Sequence, residues 1–412
     1  MKQNNGFLLK ELAGIPYLLP YGQMIADHKR GLKTNATGVY LWNLLEKEHS
    51  LEEILKESAT FYEVSEAELP EFHTEITHFI EQLKAYDIFT DSVQQPVNST
   101  FVHTRLETSR KEAVSKENTT VAPANSTEHL LSIGGLTLRL TVPEDAFPPE
   151  FKDFVIEHAP NVTPPVSLHI LLHPELPSAR PSGTVLLQNA ELNILEQENS
   201  YLLHFPRARH HLEIHLQKDG SEAHCYSLPP YNADFHYDFF HALRLVYLYK
   251  AKQHGRAAIH SASILYQDKV WLFSGHSGMG KSTHTNLWKE HFHTPVINGD
   301  LNLLAMEDGI PVVHGIPWCG TSGIYDTKTY PLGGIILLNR SKEDYTEELT
   351  ADQKLLLVSQ RLISPAWTKA QWEQNLEIVE NITKDILVCR LHCTKERRAA
   401  EVMRERIECG LE

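Results

Sequence analysis

The run Gly275-His276-Ser277-Gly278-Met279-Gly280-Lys281-Ser282-Thr283 fits the pattern G-x-x-x-x-G-K-[ST], and the apolar run Val270-Trp271-Leu272-Phe273 leads directly into it. A strand, a glycine loop and a helix start in that order form a phosphate cradle. Glycines let the backbone turn its N–H groups toward phosphate oxygens, and the helix adds its positive end. Lys281 has the reach for β- and γ-phosphates, and the Ser282 hydroxyl suits Mg²⁺. A chance match in a chain of this size is on the order of one in a hundred. The reading therefore assigns a nucleotide to Gly275, Ser277, Gly278, Met279, Gly280, Lys281, Ser282 and Thr283.

Working outward, a helix is expected from Lys281 to about His291, then the strand Pro295-Val296-Ile297, ending in Asn298-Gly299-Asp300. A carboxylate at a strand end beside a phosphate loop can hold Mg²⁺, which prefers hard oxygen ligands. Ser282 and Asp300 are thus the metal candidates. Upstream, Ile259–Tyr266 and Lys269–Phe273 read as strands around a tight Gln267-Asp268 turn. Phe235 to His254 has helical periodicity and stops at Gly255, a favourable residue after a helix end. Leu136–Val142, Val166–Leu172, Thr184–Leu187, Tyr201–Phe205 and Leu212–Gln217 are short β-prone runs divided by Pro and Gly. Downstream lie the strand Leu332–Leu338, Arg340 as a phosphate contact, and Trp318–Gly323, whose small residues suit a loop over a substrate.

The first ninety residues form a separate pattern. Phe7-Leu8-Leu9, Tyr17-Leu18-Leu19 and Met24-Ile25-Ala26 read as three strands, and three helices follow. The first runs from near Thr37 to Lys47. The second opens on the capping box Ser50-Leu51-Glu52-Glu53 and the third on Ser65-Glu66-Ala67-Glu68. Leu69, Phe72, Ile76, Phe79, Ile80 and Leu83 then make an apolar stripe. Ile88-Phe89 closes the unit as a short strand. Residues 91–128 are polar and turn-prone, which reads as a flexible linker.

Composition sets the limits. The chain has 412 residues, 42% of them hydrophobic, and a formal net charge of −15. That charge disfavours nucleic acid and anionic membranes as partners, and no run approaches a membrane span. No export signal opens the sequence, so the cytoplasm is the expected location and the Asn-x-Ser/Thr sequons are not read as glycosylation sites. Five scattered cysteines read as free thiols. Cys389, His392 and Cys393 lack the second ligand pair that a zinc site needs.

Two resemblances join these patterns. The segment Asn35-Ala36-Thr37-Gly38-Val39-Tyr40-Leu41-Trp42, within a sheet followed by three helices, resembles the peptide-recognition domain typified by PqqD, the pyrroloquinoline-quinone peptide chaperone. The resemblance implies that a leader peptide adds a strand to the sheet edge, in a groove between Met24–His28 and the exposed side of Glu68–Tyr86. Ile259-His260-Ser261-Ala262-Ser263, the glycine loop, Thr285-Asn286-Leu287-Trp288 and Ile297-Asn298-Gly299-Asp300 resemble HPr kinase/phosphorylase and its phosphoenolpyruvate-carboxykinase-like relatives. Gly315–Ile324 looks like a segment of the related kinases of modified-peptide pathways.

This second resemblance implies phosphoryl transfer to a hydroxyl, with His260, Lys281 and Asp300 as catalytic residues. It also implies ATP or another nucleotide with Mg²⁺, and a homo-oligomer. Where HPr kinases carry Asp-Asp, this chain has Gly299-Asp300, so the general base stays open between Asp300 and His260.

The expected fold class is α+β and α/β. Residues 1–90 form a winged-helix-like β3α3 recognition domain, 91–128 a linker, 129–234 a β-rich front and 235–412 a phosphate-loop catalytic domain. The expected function is a kinase that captures a precursor peptide by its leader and phosphorylates a Ser or Thr of it. The alternatives are a kinase of small hydroxylated metabolites with a regulatory first domain, and a nucleotide-sensing protein without turnover.

Overall fold

The structure, a computed structural model, describes residues 1–90, 126–156, 165–177 and 182–410. It has a small N-terminal domain and a large sheet-rich C-terminal region. The expected linker falls mostly on residues outside the described ones. Its last three residues do not, because Ser126–Ile133 is a strand paired along its length with Leu136–Pro143.

In the N-terminal domain β1 (Lys2–Gln3) is followed by the hairpin of β2 (Phe7–Leu12) and β3 (Ile15–Pro20). The expected third strand is corrected. Met24-Ile25-Ala26 lies in a single helical turn, α1 (Gln23–Ala26), and the edge strand is β4 (Leu32–Lys33), paired to β3. A three-residue apolar run carries neither periodicity, so the turn started by Gly22 decides.

Helix α2 (Ala36–Leu44) is capped by Asn35, whose side chain accepts from Gly38 N, and α3 (Leu51–Phe61) has the full Ser50–Glu53 capping box. Helix α4 (Leu69–Ala85) starts later than its sequence device. Ser65 and Glu68 bond to each other one turn upstream, and Pro70 sits in the first turn, where its missing N–H costs nothing. Strand β5 (Phe89–Thr90) pairs with β1. Ile76, Ile80 and Leu83 of α4 meet Leu18, Leu41, Trp42 and Ile54 in a closed core.

The front of the C-terminal region is one eight-stranded sheet, ordered β6-β7-β8-β13-β12-β11-β10-β9. Its strands are β6 (Ser126–Ile133), β7 (Leu136–Pro143), β8 (Leu168–His173), β9 (Thr184–Gln188), β10 (Asn193–Glu196), β11 (Ser200–His204), β12 (Glu213–Gln217) and β13 (Glu222–Tyr226). Its inner face packs on α5 (Ala233–Gln253), through Phe235, Phe239, Leu243 and Val246.

The second sheet contains β14 (Ala257–Tyr266), β15 (Lys269–Ser274), β16 (Val296–Asn298), β17 (Leu301–Glu307), β18 (Ile310–His314), β19 (Thr329–Arg340), β20 (Tyr345–Glu348) and β21 (Leu387–Cys393). Two long strands change partners. β14 pairs with β17 over Ala257–His260 and with β15 over Ser261–Tyr266, while β19 leaves β18 to run parallel to β15 and β21. Helices α6 (Lys281–Phe292) and α9 (Arg397–Cys409) cover one face of this sheet. Helices α7 (Ala351–Ser359) and α8 (Lys369–Thr383) cover the other. Cys389 and Cys393 point into the α6/α9 core, whereas the His392 ring meets Glu347 at 2.7 Å.

The N-terminal domain packs directly on the rest of the described chain. Leu8, Leu12, Tyr17 and Leu19 of the hairpin share a core with Leu355, Val358, Trp372 and Leu376. The Tyr17 hydroxyl donates to Asp352 at 2.7 Å, Gly22 N donates to Ala366 O, and Gln23 brackets the backbone of Gln188 on β9. The alternating hairpin therefore has two apolar faces, one for α4 and one for α7/α8.

His284 illustrates how tightly α6 is seated. It is 2% exposed, stacks on Phe273, and its Nδ1 has no hydrogen-bond partner among the described residues. Burial pushes its pKa down to about 4. An unfolded histidine titrates near 6.5, so between those values the unfolded chain binds the extra proton and stability falls as the pH falls. Replacing His284 with Phe is expected to remove about 2 kcal/mol of the stability lost between pH 7 and pH 5. Urea unfolding at the two pH values measures it.

Candidate functional site

The glycine loop has the geometry its spacing demands. Gly278 and Gly280 take φ of 73° and 110°, where a side chain would be strained, and no side chain caps α6 at Gly280. The first-turn amides at Lys281, Ser282 and Thr283 thus face outward with a helix dipole behind them. Lys281 is turned back over the loop. Its ammonium donates to His260 Nε2 at 2.7 Å and contacts Gly275 O at 3.4 Å.

His260 lies on β14 beside the loop, and the Ser274 hydroxyl donates to its carbonyl. Its Nδ1 is 3.3 Å from Asp300 Oδ1. With Nε2 accepting from Lys281, the ring proton sits on Nδ1, toward the carboxylate. Burial first, then the Lys281 charge, pushes the His260 pKa below the usual imidazole range, against the pull of Asp300. Burial likewise lowers Lys281, and Asp300 opposes it. Ammonium, neutral imidazole and carboxylate therefore stand in line, which brings the three expected catalytic residues together.

Asp300 is held by a buried polar network. Asn298 Oδ1 accepts from the amides of Asp300 and Leu301, Ser263 Oγ accepts from Asn298 N, and Asn302 donates to Ser261 and accepts from Ser263. These four polar side chains are 2% exposed or less. Every bond satisfies a group that burial would otherwise penalise, so the turn is fixed and the carboxylate aim is set.

The Trp318–Gly323 segment closes over this turn. A Cβ on Gly320 would come within 2.8 Å of the Asp300 Cβ, and one on Gly299 would fall 2.1 Å from Ser322 Oγ. A side chain at 299 would require Ser322 and its short turn to move.

Arg340 supports the loop: its guanidinium donates to Gly278 O. Ser282 and Ser277 are exposed at the mouth and Asp300 is partly exposed. The donor set, one hydroxyl and one carboxylate, suits Mg²⁺. Among the described residues no cluster of three or more His, Cys, Asp or Glu could hold a metal by itself.

A second groove lies on the N-terminal domain. Asn35 and Thr37 face Glu71, Phe72, Glu75 and Phe79 of α4, with Tyr62, Glu63 and Glu68 at the end, around a volume of about 540 Å³. The expected groove beside Met24–His28 is corrected accordingly. The edge strand β4 leads into Asn35, so the groove opens there, and its lining holds four glutamates and no cation among the described residues.

Residues 23–88 match the family described as Coenzyme PQQ synthesis protein D (PqqD). The PqqD match spans α1 through α4 and includes every residue lining the acidic groove. No curated protein sequence matches the chain. Among solved structures, the Hpr(Ser) kinase/phosphatase from Coxiella burnetii is similar over 38% of this chain and 99% of that chain, at 10% identity and a TM-score of 0.23, a likeness too slight to decide a fold. No helix among the described residues is long and apolar enough to cross a membrane.

One cation of the site escaped the motif reading, and two more lie outside it, beyond the glycine loop. Arg244 on α5 bears on Asp300, and no hydrogen bond or ion pair engages its guanidinium among the described residues. Arg361 reaches His276 Nδ1 at 3.0 Å, and Arg30, within the PqqD match, adds its charge to both. Only Arg244 left a trace in the sequence, as one charge inside the apolar run Ala242-Leu243-Arg244-Leu245-Val246.

Proposed function

We propose that the chain is a Mg²⁺- and nucleotide-dependent peptide kinase that captures a precursor peptide by a leader segment and phosphorylates a Ser or Thr hydroxyl. One observation carries this reading. Lys281, His260 and Asp300 converge at an uncapped helix start behind a glycine loop, in a chain whose first domain matches PqqD.

The loop amides and Lys281 bind the β- and γ-phosphates and hold the γ-phosphorus toward the acceptor. Ser282 and Asp300 would hold Mg²⁺, which would supply charge neutralisation at the phosphate oxygens. The acceptor oxygen bonds to the γ-phosphorus as the bond to the β,γ-bridging oxygen breaks, and the nucleoside diphosphate leaves. His260 Nε2 already accepts from Lys281 and its Nδ1 faces Asp300 at 3.3 Å without a hydrogen bond, so the hydroxyl proton passes to the partly exposed Asp300 carboxylate. Arg244 stabilises the charge that develops on the transferred group. The acidic groove favours a leader with Lys or Arg beside aromatic or aliphatic residues.

The crowding at Gly299 supports one rival, a protein that binds nucleotide without turnover. Incubation of the full chain with ATP, Mg²⁺ and a leader-bearing synthetic peptide separates the two. A mass gain of one phosphoryl group is expected. Asp300→Asn should slow it about 10²- to 10⁴-fold while nucleotide binding measured without Mg²⁺ is unchanged. Nucleotide bound with no phosphopeptide formed by the wild type would favour the rival.

A further inference from the structure

Between the two domains lies a cleft of about 690 Å³, within the usual size of ligand sites. One wall is the N-terminal domain, from Leu19 to Gly31; the other is the α7–α8 connection from Arg361 to Trp367, and Leu187 of β9 closes one side. It ends at His276 of the glycine loop. Nothing in the catalytic reading above uses it.

Its charge runs against that of the chain. In a chain of net charge −15, the lining holds Lys29, Arg30 and Arg361 with His28 and His276, and no carboxylate among the described residues. Lys29 is paired with Asp87, but Arg30 is exposed and makes no hydrogen bond or ion pair among the described residues. The Arg361 Nε is buried without a partner, although its Nη1 meets His276. At the inner end Asn375 is fully buried and lines the cleft. Its Nδ2 donates to Pro365 O at 3.2 Å, while its Oδ1 has no partner. An apolar floor of Leu357, Ile363 and Trp367 completes a site with cations at the loop end and an unused acceptor inside.

We propose that this cleft holds the part of the substrate peptide that carries the acceptor hydroxyl, and that it selects carboxylates flanking that hydroxyl. The proposal rests on the peptide-kinase reading. Arg30 and Arg361 pair with the flanking carboxylates, aliphatic side chains cover the floor, and a backbone N–H reaches Asn375 Oδ1. The wall shared with the PqqD-matched segment makes a peptide the occupant favoured over the base of the nucleotide. The acidic leader groove and this basic cleft then demand a substrate of two polarities, a basic leader and an acidic acceptor segment.

The test uses the full chain without nucleotide and two fluorescein-labelled peptides, Leu-Asp-Ser-Asp-Leu and Leu-Lys-Ser-Lys-Leu. The acidic peptide should bind at least about tenfold more tightly by anisotropy, and Arg30→Glu should erase the difference. Ile25→Glu, a second exposed substitution in the lining, should weaken the acidic peptide as well. Fluorescent ADP should bind both variants as it binds the wild type. Equal binding of the two peptides overturns the proposal, and so does displacement of the acidic peptide by ADP together with weaker ADP binding to Arg30→Glu, which would make the cleft a nucleotide site. Because binding is read without turnover, selective capture with no phosphopeptide formed sinks the kinase reading alone. Phosphorylation without selectivity sinks only the cleft.

Discussion

Replacing Lys281 with methionine is expected to reduce phosphoryl transfer by about 10²- to 10³-fold or more, with the fold intact. The methionine keeps most of the aliphatic stem, which is buried, and removes only the charge and its three donors. In the structure that ammonium contacts His260 and the carbonyl of Gly275, so it is already aimed across the loop before any phosphate arrives. Its loss has two separable effects. The phosphate oxygens lose a cation where charge develops, and His260 loses the neighbour that, after burial, does most to keep it neutral. The second effect raises the His260 pKa toward its ordinary value. The residual activity of Lys281→Met should therefore rise with pH through a histidine-like step that lies higher than in the wild type. Initial rates from pH 5 to 9 measure both, and full activity in the variant would end the phosphate-loop mechanism.

Removal of residues 1–90 is expected to destabilise the rest of the chain as well as abolish leader capture. The hairpin β2–β3 covers Leu355, Val358, Trp372 and Leu376 with four apolar side chains, and a buried side chain of that size is worth about 1.5–3 kcal/mol. Baring that surface should lower the melting temperature by about 10 °C or more and bring binding of an apolar dye. A truncated chain that melts with the full-length protein and binds no dye would mean that the hairpin contact contributes nothing. Truncation is consequently a poor probe of peptide capture. Glu71→Lys with Glu75→Lys is the cleaner one, since both side chains are exposed in the acidic groove, and it should abolish the preference for a basic leader without a change in melting.

What was legible in the sequence was local. The glycine loop, the Ser50 cap and the end of α5 at Gly255 are each set by a few adjacent residues, and the structure has them. The failures are of two kinds. Met24-Ile25-Ala26 and Ser126–Glu128 were too short or too polar for a periodicity to show, although the former is a helical turn and the latter begins a strand. Arg30, Arg361 and the docking face of the hairpin were invisible for a different reason. Each gains meaning only from a partner distant along the chain, 85 residues away for Arg361 and His276, and no spacing rule connects them. Asp300 sits between these cases: its strand-end position was readable, while the Ser261–Ser263–Asn298–Asn302 network that aims it became apparent only in three dimensions.

The segment over Asp300 has a restricted range of motion. Trp318 is 2% exposed, packs on Phe240 and Tyr247, and donates its indole N–H to Phe240 O in the middle of α5. Gly320 and Gly323, both at positive φ, bracket Thr321 and Ser322, so any swing begins at Cys319 and spends its whole length within a few residues. At roughly 3.5 Å per extended residue, such an arm sweeps no more than about 15 Å. It can seal the carboxylate from bulk solvent, as a shutter does, but cannot fold across a nucleoside or enclose a polypeptide. Specificity for anything larger than the reacting group has to be written elsewhere on the surface, in parts that do not move with each turnover.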